Sequence, residues 1–176
     1  MRWDELFAAL EYEYDAMDRQ TRDADIADRT RSAQAQTSWL MRSVGAQLTL
    51  RVRGAGLVQG RGVRATPAWL LLRGDNSTET VVATSAVVTM AGLTATATGL
   101  DARHERLGWT HAWRVLSRDR SLVRVTCVDG AVVSGVAQTV GLDYVSLRAY
   151  DAGRPTGADE VAVAYAAIAT VTVAPR

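Results

Sequence analysis

The sequence contains no lysine: all 20 basic residues are arginine. Such a bias fits GC-rich coding. Its physical result is a surface of guanidinium groups, which make bidentate contacts to carboxylate and phosphate that an ammonium cannot. Cysteine occurs once, as Cys127, which excludes a disulfide framework within the chain and a cysteine-based metal cluster. It falls at an alternating strand position with Val123 and Val125 and reads as a small buried hydrophobe. The two histidines, His104 and His111, have no Cys or acid at ligand spacing, so no metal site and no cofactor is expected. Apolar runs of the roughly 20 residues needed to span a bilayer are missing. The start of the chain, MRWDELFAALEYEYDAMD, lacks the basic segment followed by an apolar one that marks a signal peptide, so the expected location is the cytoplasm.

Catalytic patterns are equally scarce. No serine or threonine lies in a nucleophile elbow, and no histidine or carboxylate has a partner that would tune it for acid–base work. Gly54-Ala55-Gly56 and Gly60-Arg61-Gly62 superficially suggest a phosphate loop. They lie between and within strand-like runs rather than ahead of a helix, and no Gly-Lys-Ser/Thr follows. They read as bends. The expectation is a protein that is not an enzyme and takes no small-molecule substrate.

What is present is a β-rich unit occurring twice. Phenylalanine occurs once and proline three times, while Val, Ala, Leu and Thr dominate, a small-residue and β-branched composition suited to pleated sheets. Shifted by 75 residues, Leu48-Leu50-Val52, Gly60, Trp69 and Leu72 fall on Val123-Val125-Cys127, Gly135, Tyr144 and Leu147. The match resumes at an offset of 81, with Ser85-Ala86-Val87 on Ala166-Ala167-Ile168, so the second repeat carries a six-residue insertion. That insertion is expected in a Gly/Pro loop over 151–159.

The predicted organisation is an acidic amphipathic arm (1–37), a first unit (38–92), a Gly/Ala/Thr-rich linker (93–106), and a helix with a second unit (107–176). Trp3, Leu6, Phe7, Leu10, Tyr14 and Met17 recur at helical spacing and predict a helix through residues 3–33, fading into a polar stretch after Thr21. A short helical piece over 38–43 precedes the first unit, and Leu107 to Ser117 reads as a helix. In the first unit, Gln47–Arg53, Leu57–Arg64, Trp69–Arg73, Thr80–Ala83 and Ala86–Met90 read as strands. In the second unit the corresponding runs are Leu122–Val128, Val132–Val140, Asp143–Tyr150, Val161–Ala164 and Ile168–Val173. The fold class expected is mainly β with N-terminal and linker helices, built as two small five-stranded barrels whose closure removes exposed edges.

The run Val125-Thr126-Cys127-Val128-Asp129-Gly130 through Gly135 resembles the first signature segment of Sm-like barrels, in which an Asp-Gly turn leads into a bent second strand. As a whole the chain resembles an uncharacterised actinobacterial family with an N-terminal helix and tandem Sm-like or SH3-like barrels, whose members are sometimes labelled transcriptional regulators. The RNA-reading elements of Sm-like proteins are an Asp-x-x-x-Asn segment and an Arg-Gly or Lys-His element. Here Asp143-Tyr144 and Ala68-Trp69 stand at the first place, and Tyr165-Ala166-Ala167-Ile168 and Thr84-Ser85-Ala86-Val87 at the second. The base-reading groups are therefore absent from both repeats.

Two surfaces remain as candidates. The stripe Trp3, Leu6, Phe7, Leu10, Tyr14 and Met17 suits a protein partner or self-association, because isolated amphipathic helices gain their stability mainly by packing. Arg51, Arg53, Arg61, Arg64 and Arg73, extended by Arg114 and Arg118 on the following helix, form the second candidate, a patch for nucleic acid or an acidic partner. The net charge of +1 hides a mildly basic first repeat and linker, with ten Arg against five acids over 44–122, which is too weak a footprint for an obvious DNA-binding domain. The expected function is a binding or adaptor protein acting through the helix and barrel surfaces on a protein partner or on itself as a homo-oligomer, with RNA binding as the alternative.

Overall fold

The computed structural model describes residues 37–75, 78–97, 107–151 and 154–173. The predicted amphipathic helix, with Trp3, Leu6, Phe7, Leu10, Tyr14 and Met17, lies outside the described residues, as does His104. Residues 39–176 form one compact unit that contains both repeats.

A 3₁₀ turn (Trp39–Arg42) leads into β1 (Gln47–Val52), β2 (Gly56–Ala65), β3 (Trp69–Arg73) and β4 (Glu79–Ala83). A second 3₁₀ turn (Thr84–Ala86) separates β4 from β5 (Val87–Ala91). The second repeat starts with the single α-helix among the described residues, α1 (Trp109–Arg118). It continues through β6 (Leu122–Cys127), β7 (Val132–Val140), β8 (Tyr144–Asp151), β9 (Arg154–Ala164), a third 3₁₀ turn (Tyr165–Ala167) and β10 (Ile168–Val173).

The duplication is exact enough to be read in the register. Arg61 faces Arg73 and, 75 residues on, Val136 faces Arg148. Trp69 faces Ala83 as Tyr144 faces Ala164. The same bulge interrupts β2 after Gly62 and β7 after Ala137. Both repeats need glycine at the same bend, because a Cβ at Gly60 or Gly135 would run into the backbone carbonyl of Arg73 or Arg148.

Each core is built from the inward face of alternating strands. Leu48, Leu50, Val52, Leu70, Leu72 and Val82 are buried in the first, and Val123, Val125, Val145, Leu147, Ile168 and Val171 in the second. At roughly 1.5–3 kcal/mol per fully buried aliphatic side chain, these two clusters supply the main favourable term. Helix α1 lies on β7 and sends Trp113 into the second core, with Trp109 and Leu116 packed beside it and Arg118 in the last turn, where the helix dipole favours a cation.

Two expectations are corrected. The strands do not close into two barrels: they form one ten-stranded sheet in the order β5-β1-β2-β3-β4-β10-β6-β7-β8-β9. The repeats join because β4 pairs with β10, the last strand of the other repeat. The inserted residues of the second repeat do not make a long loop either. They extend β8 and β9, whose pairing continues to Tyr150 opposite Pro155 and Asp151 opposite Arg154. Backbone hydrogen bonding between neighbouring strands outweighs the loop-forming tendency of Gly and Pro here.

Candidate functional site

The junction between the repeats is the most specific construction in the molecule. Thr170 faces Val82, Val171 faces Val81, and Thr172 faces Thr80 in an antiparallel ladder. The hydroxyl oxygens of Thr80 and Thr172 lie 3.4 Å apart across it. The two cores interlock: Ala169 of β10 is fully buried in the first core, while Val81 of β4 packs against the second. Trp109 touches both cores and stacks on Tyr165 with ring centroids 6.4 Å apart. The Trp69 indole donates to the Gly108 carbonyl at 3.3 Å, which ties β3 to the start of α1. The Tyr165 hydroxyl donates to the Gly141 carbonyl at 3.0 Å, and burial pushes its phenol above the ordinary tyrosine value.

Because the repeats are equivalent, each half of this junction has a counterpart at the far end of the sheet. There no described strand pairs with it. Val88 of β5 stands where Ala169 stands in β10, and it is 55% exposed. Tyr144 stands where Trp69 stands, and its exposure is 39% against 7%. Val161 of β9, the counterpart of Thr80, is 39% exposed. Neither outer strand carries a charge over 87–91 or 161–164, although exposed edges are ordinarily blunted by charge or proline.

A groove of about 250 Å³ runs along the junction. Trp69, Leu71, Val81, Val115, Leu116 and Val173 supply most of its apolar lining, and Arg64, Glu79 and His111 are its polar members. A second, polar recess of about 660 Å³ is lined by Ser117, Arg120, Val136, Ala137, Gln138 and Arg148.

The arginines singled out from sequence are all exposed, but they do not form one cluster. Arg61 and Arg73 are cross-strand neighbours on β2 and β3, and Arg73 is engaged by Glu79 at 2.8 Å. Arg51 and Arg53 lie toward the other end of β1, which begins opposite Arg61 at Gln47. Arg64 follows the bulge and lines the groove. Arg114 and Arg118 project from α1, the former close enough to Tyr165 to act on its phenol. Cys127 is half-buried, and burial, with the Asp129 carboxylate adding to it, pushes its thiol above the ordinary value. No cluster of metal-binding side chains occurs among the described residues. No helix among them is long and apolar enough to cross a membrane.

Reading the repeats one at a time missed the junction. The outer strands carry the uncharged runs Val87-Val88-Thr89-Met90-Ala91 and Val161-Ala162-Val163-Ala164, which suit an edge only if something pairs with it. No protein-family model matches the chain, and no curated protein matches it in sequence.

Proposed function

We propose that the protein is a non-catalytic binding module that works by assembling with other polypeptide through its two outer sheet edges. In this reading each repeat is a strongly bent five-stranded unit of the Sm-like or SH3-like kind, and the tandem serves as a scaffold. One observation carries it: residues whose counterparts are buried at the internal junction stand exposed, apolar and uncharged at β5 and β9. An extended segment can add to such an edge, with main-chain hydrogen bonds giving affinity and side-chain pockets giving specificity.

The test places a charge on exposed positions of each edge in the full chain. Val88→Asp and Val161→Asp weaken protein association, measured by light scattering of the purified chain and of complexes that co-purify with it. If both variants keep every complex of the parent protein, the reading fails.

RNA binding is the second reading, supported by the exposure of Arg51, Arg53, Arg61, Arg64, Arg114 and Arg118. Filter binding decides it. Affinity through these groups falls steeply with salt as counterions are released, and a salt-insensitive or absent signal excludes it.

A further inference from the structure

We propose that the groove along the junction of the repeats binds a small apolar carboxylic acid, its body between α1 and the central strands and its carboxylate on Arg64. The site is built on β3, β4 and β10 in the middle of the sheet, so it stands apart from the assembly reading, which concerns β5 and β9.

The floor is a single row of side chains across the sheet. Arg64 on β2 faces Leu71 on β3, Leu71 faces Val81 on β4, and Val81 faces Val171 on β10. Neighbouring strands lie about 4.8 Å apart, so the row from Arg64 to Val81 spans roughly 10 Å. Val171 ends it, buried in the second core. The facing wall is α1, on which His111 and Val115, four residues apart, share one side and line the groove. Trp69 holds the wall to the floor through its bond to the Gly108 carbonyl. Sites of this kind, apolar with few polar groups, favour the seams between structural units.

Three observations select the occupant. Strand addition is excluded, because β3, β4 and β10 each have a ladder partner on both sides. A peptide main chain would find no unpaired backbone group in the floor to satisfy its own. A helix, about 10–12 Å across, is too wide for a groove of about 250 Å³, which lies just below the usual range for small-molecule sites.

The third observation is the charge. Of the ionisable groups in the lining, Glu79 is neutralised by Arg73 at 2.8 Å. Among the described residues Arg64 makes no ion pair. The groove therefore presents one uncompensated guanidinium at the end of an apolar row, with the His111 ring as a further hydrogen-bonding group on the facing wall. A guanidinium takes a carboxylate through two parallel hydrogen bonds. One cation balances one carboxylate, whereas a phosphate monoester, with about two negative charges, would be left half-compensated.

Octanoate is the probe, with octanol and octylamine as equally long controls, in calorimetric titrations of the full chain. Octanoate binds saturably at one site per chain, octanol binds more weakly, and octylamine, repelled by Arg64, more weakly still. Arg64→Ala, at an exposed position, lowers octanoate affinity by about tenfold or more. It leaves octanol affinity unchanged, which a variant with a damaged fold would not do. Val115→Glu, at a position 54% exposed, abolishes octanoate binding by placing bulk and a like charge in the groove, without lowering the thermal midpoint. Absence of saturation by about 10 mM octanoate, an affinity that even a weak ligand of this size exceeds, overturns the proposal. So does octanol or octylamine binding as tightly as octanoate, or an Arg64→Ala protein with the parental octanoate affinity. A peptide ending in leucine that binds the same site more tightly than octanoate overturns it in favour of a polypeptide occupant.

Discussion

The rings of Trp109 and Tyr165 stack with centroids 6.4 Å apart and planes 28° from parallel, and the Trp109 indole packs against both hydrophobic cores. Two repeats that share a sheet through only one strand pair are thereby also joined through their side chains. Trp109→Ala removes apolar contact from both cores at once. Full truncation of a buried Trp costs about 3–5 kcal/mol, and for this half-buried ring about 2 kcal/mol is expected. Urea denaturation followed by circular dichroism measures it. A loss of a single sharp transition, with the repeats melting separately, would show that Trp109 also couples them.

Gly54 and Gly56 separate backbone strain from a steric clash. Both have φ of +75°, so alanine at either costs about 1 kcal/mol for the left-handed conformation. A Cβ at Gly56 meets nothing within 4 Å, whereas at Gly54 it overlaps the backbone of Cys127. Gly54→Ala should therefore destabilise by at least about 2 kcal/mol more than Gly56→Ala, the cost of forcing the two turns apart being of the order seen for overpacking. Equal effects on the denaturation midpoint would mean that the turns separate freely.

Trp113 is fully buried, and its indole N–H finds no acceptor among the described residues. An unmet buried donor costs about 1–3 kcal/mol, and Trp113→Phe removes that donor while giving up part of the ring volume. The two effects oppose each other, so Trp113→Phe is expected within about 1 kcal/mol of the parent. Trp113→Ala should cost about 3–5 kcal/mol. A loss of several kcal/mol for Trp113→Phe, read from chemical denaturation, would show that the N–H is satisfied in solution.

Cys127 links stability to alkaline pH. Its thiol is raised by burial and by the Asp129 carboxylate, so the folded state holds the proton more tightly than the unfolded chain. The resulting stability is complete below the ordinary thiol value and is lost as pH rises from there through the raised folded value. Denaturation midpoints should fall over that window in the parent and fall less in Cys127→Ala. Alkylation of the native thiol should also begin at higher pH than in the unfolded protein.

The surface ion pair Arg73–Glu79 contributes little. Both side chains are about half exposed, and such pairs are worth about 0–1 kcal/mol. Glu79→Gln should leave the midpoint nearly unchanged, while freeing Arg73 for any nucleic-acid contact. If the RNA reading holds, affinity at low salt rises in this variant, and filter binding reads it.

The duplication, most strand positions and the helix at α1 were legible in the chain because period-two burial and turn residues are local signals. Gln47 to Val52 alternates as its burial requires, Trp69 to Arg73 is an apolar run buried at Trp69, Leu70 and Leu72, and Gly60 and Gly135 mark the same bend. That the arginines stand at the surface was legible too, and they are exposed. Whether they act together was not, since that depends on which strands neighbour one another. The residues inserted before Val161 read as a loop from their Gly and Pro content, and the neighbouring strand made them an extension of a hairpin.

Sequence alone thus determined that one β-rich unit is present twice and, where a strand alternates as Gln47 to Val52 does, which side chains turn inward. Tertiary structure alone decided how the copies meet. The hydrophobic pattern of β4 and β5 is satisfied equally by closing on each other or by pairing with a neighbouring repeat. Only the three-dimensional path, which brings β10 alongside β4 and buries Ala169 in the other core, selects the second. That choice leaves β5 and β9 as the edges from which the proposed function follows.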